Sequence, residues 1–471
     1  MATSSAIVWF RRDLRLADNP ALDHALTAHD GVVPVFIWDP DAEGRWAPGS
    51  ASRWWLHHSL VTLNRRLLER GSRLIIRRGD TAEVLDALAQ ETGAQAVYWN
   101  RLYEPSLVDR DARLKKALRG RDIQVKSFNG ALLFEPWEIL KPDQTPYQVF
   151  TPYWKRMQRD WRLPPACVEP QRVPGPSDWP EGAALESLGL LPELDWADGF
   201  SQVWTPGEEG AGQQLSEFLD AAVTDYDTAR DRPDQAGTSR LSAHLHFGEL
   251  SPRQVAWALD ETGQLPGGRG KLSLLREIVW REFSWYLMYH YPSVPETPLK
   301  SRFEAFPWRT EDDYAEHLAA WQRGQTGIPI VDAGMRELWA TGWMHNRVRM
   351  IVASFLTKNL LIPWQVGADW FWDTLVDADL GNNTQGWQWV AGCGADAAPY
   401  FRIFNPVLQG QKFDPAGDYV RRWCPELSRR PRRQIHEPLA AGESCGAYPR
   451  PIVDLKASRQ RALDAYAAIK D

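Results

Sequence analysis

The first 130 residues alternate short apolar runs with amphipathic stretches, and this alternation constrains the fold more than any other feature of the chain. The runs are AIVWF (6–10), VVPVFIW (32–38), RLIIR (73–77), QAVYWN (95–100) and DIQVKSF (122–128), with helical patterns near 20–29, 52–70, 81–92 and 106–119 between them. Strand and helix in strict alternation call for crossovers of one hand, which predicts an α/β domain over 1–130 built on a doubly wound parallel sheet. Ligands of such sheets bind at the carboxyl ends of the strands. No GxGxxG follows the first strand, which argues against a nicotinamide dinucleotide there.

The pattern then dissolves. From Leu163 to Leu194 the chain carries Pro164, Pro165, Pro170, Pro174, Pro176, Pro180 and Pro192, which reads as an extended connector running over the surface, within a connecting segment at 131–204. Thr205-Pro206-Gly207-Glu208 has the Thr, Pro and Glu of a capping box and predicts a helix start, and Ser251-Pro252-Arg253-Gln254 repeats the device. Beyond Thr205 the periods are helical almost throughout to about Trp372, so residues 205–471 read as a large all-α domain.

A length of 471 residues allows two or three such domains, each with its own core. Cys167, Cys393, Cys424 and Cys445 lie far apart with no CxxC pair, which argues against a disulfide framework or a metal site and for a reducing, cytoplasmic setting. The opening MATSSAIVWF lacks the basic and apolar regions of an export signal, and no run approaches the roughly 20 apolar residues of a membrane span. A net charge of −7 argues against a protein coated by nucleic acid. Between Met335 and Ile435, however, 12 Arg or Lys face 9 Asp or Glu, so a local groove can still be basic.

Chemistry concentrates in LVDADLGNNTQGWQWVAGCGADAAPYFR (375–402), which holds Asp377, Asp379, Asn382, Asn383, Trp387, Trp389 and Arg402. Carboxylates and amides suit a buried heterocycle rich in N–H and C=O groups, and flat indoles suit electron transfer or stacking on a nucleobase. A Trp-rich helical core accounts for the same residues, since 25 tryptophans are spread over the whole chain and most large aromatics fill cores. Upstream, Gly237-Thr238-Ser239-Arg240-Leu241-Ser242 precedes an apolar helical stretch and reads either as an anion cradle or as a simple N-cap. Glu277, Trp280 and Arg281 fall at helical spacings on one face, which suggests a cavity or a polar ligand, with a surface stripe as the other reading.

Together these segments resemble the photolyase/cryptochrome family of flavoproteins. The likeness is carried in order by IVWFRRDLRLADNPAL (7–22), GTSRLSAHLHFGELSPRQV (237–255), WREF (280–283), GIPIVDAGMRELWATGWMHNRVRM (327–350) and DADLGNNTQGWQW (377–389), and it runs from about residue 6 to residue 455. The resemblance implies FAD as cofactor and UV-damaged DNA as substrate, handled by a monomer with no membrane attachment. Residue by residue, it implies that Tyr226, Thr238, Ser239, Arg240, Leu241 and Ser242 hold the diphosphate and ribityl side of FAD. Arg349 would pair with Asp377 beside the flavin ring, Asp379 would accept from a ring N–H, and Asn383 would face N5, where a neutral amide suits a reduced anionic ring better than a carboxylate.

The resemblance also implies a subtype, a light-driven cyclobutane pyrimidine dimer lyase of class III character close to plant cryptochromes. Glu277 matches the carboxyl group that bonds the thymine edges, as a neutral acid in a dry pocket, and Trp280 and Trp389 match the aromatic walls for a flipped-out dimer. Asn346 and Met350 stand where enzymes that repair (6-4) photoproducts carry histidines, which disfavours that activity. Plant cryptochromes, to which GMRELWATGW and YVRRWCPELSR look close, carry Asp and Tyr at the positions of Asn383 and Trp389. A blue-light receptor would also be expected to have a long polar tail, and about 20 residues follow Pro451. Trp387, Trp364 and Trp308 match an electron relay, with core packing as the other reading. Arg281, Arg347 and Arg402 are candidate DNA contacts that set position rather than sequence preference. In the N-terminal domain, an antenna pocket is expected around Trp46 to His57 and Asn100 to Glu104, with Glu104 bonding the pterin of methenyltetrahydrofolate.

Overall fold

Five strands form one sheet, in which all neighbours run parallel in the order β3-β2-β1-β4-β5: β1 (Ser5–Phe10), β2 (Gly31–Trp38), β3 (Ile75–Arg78), β4 (Ala96–Asn100) and β5 (Gln124–Phe128). The computed structural model describes residues 4–193, 195–396, 401–438 and 446–470; Cys445 lies outside them. The crossover helices are α1 (Pro20–Ala28), α2 (Ser50–Glu69), α3 (Thr81–Thr92) and α4 (Pro105–Arg119). Successive side chains of a strand point to opposite faces. Ala6, Val8 and Phe10 therefore join one core with Trp55 and Leu60 of α2, whereas Ile7 and Trp9 join another with Leu85, Leu88 and Leu114. Burial on both faces is why these strands read as continuous apolar runs.

The remainder is helical. Helix α5 (Phe150–Arg159) is followed by the proline-rich segment, which stays close to the sheet: Val32 donates its N–H to Pro174 O and Ala183 to Ile76 O. Then come α6 (Glu208–Ala221), α7 (Tyr226–Ala229), α8 (Ser242–His246), α9 (Pro252–Leu259), α10 (Arg269–His290), α11 (Glu311–Gln322), α12 (Pro329–Thr341), α13 (Asn346–Ser354), α14 (Trp364–Thr374), α15 (Leu380–Ala391), α16 (Pro406–Phe413), α17 (Asp418–Trp423) and α18 (Leu455–Ala467). Among the described residues no strand follows β5, and no helix is long and apolar enough to cross a membrane.

The capping box expected at Thr205 does not form. Helix α6 begins at Glu208, after Gly207 at φ +109°, a conformation outside any helical turn. Glu208 instead reaches across to the α/β domain, where its carboxylate accepts the N–H groups of Leu16 (2.8 Å) and Ala17 (2.9 Å). At Ser251 the reciprocal box with Gln254 is present.

The two halves share a core. Trp343 and Val376, which lie just before the segments 346–350 and 377–389 in sequence, pack into the same cluster as Phe10, Trp54 and Trp55. The start of α2 docks on the end of α14, where Ser50 donates its N–H and its hydroxyl to Asp373, each at 2.8 Å.

Candidate active site

The helical half encloses a cavity of about 700 Å³, within the range that holds cofactors and drug-sized ligands. Four helices supply its wall. From α10 come Glu277, Trp280 and Arg281, from α13 Asn346, Arg347, Arg349 and Met350, and from α14 Phe371. Helix α15 and the turn before it give Asp377, Asp379, Asn382, Asn383, Trp387 and Trp389, and Arg402 adds a guanidinium beyond that helix. Helical spacing explains the convergence: Glu277 and Arg281, Asn346 and Met350, and Asn383 and Trp387 are each four residues apart, hence on one face of their helix.

Several charged groups of this wall are held by hydrogen bonds and ion pairs. Arg349 meets both oxygens of Asp377 (3.0 and 2.8 Å) and donates its Nε–H to Met344 O at 2.7 Å. Arg347 meets Asp231 at 2.7 Å. Arg281 donates to the carbonyls of Ala131 (3.0 Å) and Leu245 (3.2 Å). Glu277 is paired with Arg230, the residue that ends α7, so it does not stand as the isolated neutral acid expected from the sequence. Nothing in the motif around Glu277 points to a partner 47 residues upstream.

Asp379 caps α15, accepting the backbone N–H of Asn382 at 2.8 Å and its side-chain N–H at 2.7 Å. Trp285, two turns along α10 from Glu277, donates its indole N–H to both Asp379 oxygens at 2.9 Å. Burial alone would raise this carboxyl; His246 beside it, the Arg281 charge and the Asn382 amide outweigh burial and hold it at about 2. An anionic carboxylate fixed at the cavity wall is an acceptor ready for a ring N–H. Trp285 and His246 were not singled out from the sequence, although Trp285 lies four residues after Arg281 and was within reach of the same helical count.

The aromatic members are held in place too. Trp280 stacks on Phe150 of α5 with ring centroids 3.6 Å apart and planes 7° from parallel, so one of its faces is covered. Trp387 is buried against Phe371 (5.0 Å) and Trp321 (6.3 Å), and its indole N–H has no hydrogen-bond partner among the described residues. Asn383 donates its side-chain N–H to Ala368 O at 2.9 Å, which leaves the acceptor end of the amide to the cavity. A wall offering an anionic acceptor, a neutral amide acceptor, an orphaned indole N–H and an Arg–Asp pair fits a flat heterocycle with N–H and C=O edges, so the residues present suit a flavin ring.

The other predicted positions lie apart from this wall. Tyr226 sits in α7 one turn before Arg230, and the turn at 237–242 packs on the end of that helix: a side chain on Gly237 would come within 2.5 Å of Ala229 O. Thr238 and Ser239 are half-buried there, Ser242 is exposed and Leu241 is buried. Arg240, at φ +53°, lies over the rings of Trp343 (4.7 Å) and Trp204 (5.4 Å). This group adjoins the cavity through Arg230 alone among its lining residues. Trp364 opens α14 and is buried. Trp308 is half-buried against Phe306 at 4.4 Å, on a strap whose next residue, Arg309, donates its N–H to Leu361 O at 3.0 Å.

At the carboxyl ends of β1 and β2 a narrow cavity of about 60 Å³ is lined by Trp9, Arg12, Trp38, Glu43, Arg110 and His246, among others. Glu104 is not on its wall. It is buried and paired with Arg12, and its other oxygen accepts the Tyr103 N–H at 3.1 Å, so the carboxylates on the wall of this space are Asp39 and Glu43. Trp54 and Trp55 are core residues. A wider hollow of about 650 Å³ opens past Trp38, Asp39 and Arg110 toward Arg78 and Arg113. Among the described residues no cluster of His, Cys, Asp or Glu converges to hold a metal ion.

Comparison with known proteins bears on what fills these spaces. Residues 6–174 match the DNA photolyase family and residues 274–468 match the FAD binding domain of DNA photolyase, which makes the chain a two-domain flavoprotein. The chain belongs to the DNA photolyase family. It is 46% identical to the deoxyribodipyrimidine photo-lyase of Agrobacterium fabrum over 100% of this chain and 99% of that protein. It is 41% identical to cryptochrome-2 of Arabidopsis thaliana over 99% of this chain and 79% of that one. The crystal structure of a bacterial class III photolyase from Agrobacterium tumefaciens superposes with a TM-score of 0.95 at 47% identity, covering 100% of this chain and 98% of that chain.

Proposed function

We propose that this chain is a light-driven lyase that splits cyclobutane pyrimidine dimers in DNA. The observation that carries the reading is that the groups suited to a flavin (Arg349, Asp377, Asp379, Asn383) and those suited to a flipped-out pair of pyrimidines (Glu277, Trp280, Trp389) line one continuous cavity. Bound FAD would supply the light-absorbing, electron-donating ring. Everything else is done by the protein. Asp379 and the Arg349–Asp377 pair orient the ring edge, Asn383 presents a neutral acceptor, and Tyr226 with the 237–242 turn holds the polar arm of the cofactor. Trp280, with one face resting on Phe150, and Trp389 stack the unpaired bases, a contact worth about 1–3 kcal/mol per base. Glu277 and Arg230 together meet the carbonyl and N–H edges of the pyrimidines and keep that end of the cavity polar. Trp387, Trp364 and Trp308 form a path for electrons from the surface, and Arg281, Arg347 and Arg402 steady the DNA around the lesion.

Asn346 and Met350 favour this lesion over (6-4) photoproducts: both are on the cavity wall and neither carries a titratable proton. A folate antenna fits the wider hollow beyond Trp38, where Arg78, Arg110 and Arg113 suit its carboxylates, better than the narrow space beside Glu43. On this reading the enzyme acts as a monomer in the cytoplasm, a reducing compartment that suits the buried free thiols of Cys393 and Cys424. The test is to illuminate FAD-loaded protein with oligonucleotides carrying a cyclobutane dimer, a (6-4) photoproduct or no lesion. Light-dependent loss of the cyclobutane dimer alone is expected; loss of only the (6-4) product, or of neither, overturns the proposal.

A further inference from the structure

His246, the last residue of α8, is buried between the two cavities. It lines the narrow space at the carboxyl ends of β1 and β2 together with Arg12, Glu43 and Ala378, and Ala378 also lines the large cavity. On its other side the ring reaches Asp379. Its Nδ1 stands 3.6 Å from Asp379 Oδ2, outside hydrogen-bond range, and has no hydrogen-bond partner among the described residues. A buried nitrogen left unbonded beside a carboxylate costs free energy in this state, and protonation of the ring would recover it as a charge-assisted bond.

The charges facing the ring are close to balance. Burial, and after it the Arg12 charge, hold the imidazole below its ordinary pKa against the pull of Asp379 and Glu104. Arg12 is itself paired with both Glu104 and Glu43. Further round the same space, Arg11 and Arg110 are paired with Asp111, and Asp39 accepts the Thr81 hydroxyl at 2.6 Å. Asp379 is fixed as an anion by the N–H groups of Trp285 and Asn382 and by the charge of Arg281, so it is a poor acceptor for a proton. A negative charge arriving on the large-cavity side of Asp379 therefore acts next on His246, in surroundings where charges are weakly screened. We propose that His246 is a redox-linked proton site, which takes up a proton through the narrow cavity when the bound flavin becomes an anion and then bonds Asp379 as an imidazolium. Two electrons from an external donor and one proton make the reduced anionic ring; the second proton ends on the imidazole, so two protons enter per two electrons. The narrow cavity, at about 60 Å³, has room for the water that delivers it. The proposal deepens the reading of the large cavity as a flavin site and rests on it.

The two-electron midpoint potential of the flavin in full-length, FAD-loaded protein tests it, read by spectroelectrochemistry from about pH 5 to 9, across the range in which imidazoles titrate. Wild type should take up one proton per electron over part of that range and one per two electrons above it. His246→Gln, which cannot titrate, should take up one proton per two electrons throughout, so its potential falls progressively below that of wild type as pH drops. Reduced-minus-oxidised infrared spectra of protein carrying isotope-labelled histidine should show an imidazolium band that H246Q lacks. If H246Q retains no flavin, H246N takes over, and the infrared band of wild type decides by itself. One proton per two electrons in wild type at every pH, or no imidazolium band, overturns the proposal. So does a second proton that survives in H246Q and disappears in Glu43→Gln, because the acceptor in the narrow cavity is then Glu43. Asp379→Asn separates this proposal from the reading beneath it. Unshifted flavin bands in D379N at full flavin content would place the ring away from Asp379 and end both, whereas shifted bands beside a one-proton wild type end this proposal alone.

Discussion

Glu277 was legible as a candidate from its helical spacing with Trp280 and Arg281, but its chemistry was not, because that is set by Arg230 on another helix. The ion pair keeps a bonded carboxylate on the cavity wall beside Trp280. Replacing Glu277 by Ala should lower the repair yield about 10- to 100-fold, the span covered by a charge-assisted hydrogen bond of about 1.5–3 kcal/mol, while FAD content stays at the wild-type level. Yield per absorbed photon together with flavin absorbance checks this, and loss of FAD instead would reassign Glu277 to the cofactor. Trp387 makes a second case. Trp387→Phe should stop light-driven reduction of the flavin by an external thiol while leaving repair by chemically reduced enzyme intact, and bleaching of the flavin band under blue light reads the difference. Glu104 marks the limit of sequence reading at this scale: it sits in the expected stretch, yet Arg12 and the Tyr103 N–H occupy it, and Asp39 and Glu43 line the cavity in its place.

At the scale of elements, periodicity located the strands and crossover helices to within two residues, since apolar runs and amphipathic stretches differ in period. The start of α6 was misjudged for a physical reason: the Glu208 carboxylate bonds Leu16 and Ala17 of the other domain rather than its own helix end. Contacts between helices were equally hidden. Gly367 of α14 lets Trp387 of α15 close in, and a Cβ there would fall 2.1 Å from the indole ring. Gly367→Ala should therefore destabilise the protein by about 1–3 kcal/mol, read as a lowered denaturant midpoint, and should weaken FAD retention by displacing Trp387. Glu282 of α10 supplies the pH dependence. Its carboxyl is buried and accepts the N–H groups of Leu133 and Phe134, with burial pushing it up to about 8. A carboxyl raised in the folded state binds its proton more tightly there than in the unfolded chain. Its stabilising contribution is complete below about 4.5 and is lost as pH rises through 8. Melting temperatures of wild type and Glu282→Gln should therefore converge or cross between pH 5 and 8; parallel profiles would contradict this assignment.

At the scale of the whole molecule, the α/β domain and the helical domain are joined by a common core around Trp54, Trp55, Trp343 and Val376. The sheet end and the cavity are thus held together by one packed core, which suits the antenna role proposed for the first domain. The parallel sheet and the helical remainder were readable from period alone, whereas the candidate site was readable only as clusters of residue types, because its wall is drawn from four helices between Arg269 and Ala391. The central claim is that cofactor and lesion share that wall. It is tested most directly by the emission lifetime of the bound reduced flavin with each type of DNA present. The account predicts a shortened lifetime with dimer-containing DNA and an unchanged one with undamaged or (6-4) DNA. Equal lifetimes with dimer-containing and undamaged DNA, at saturating binding of both, would contradict it.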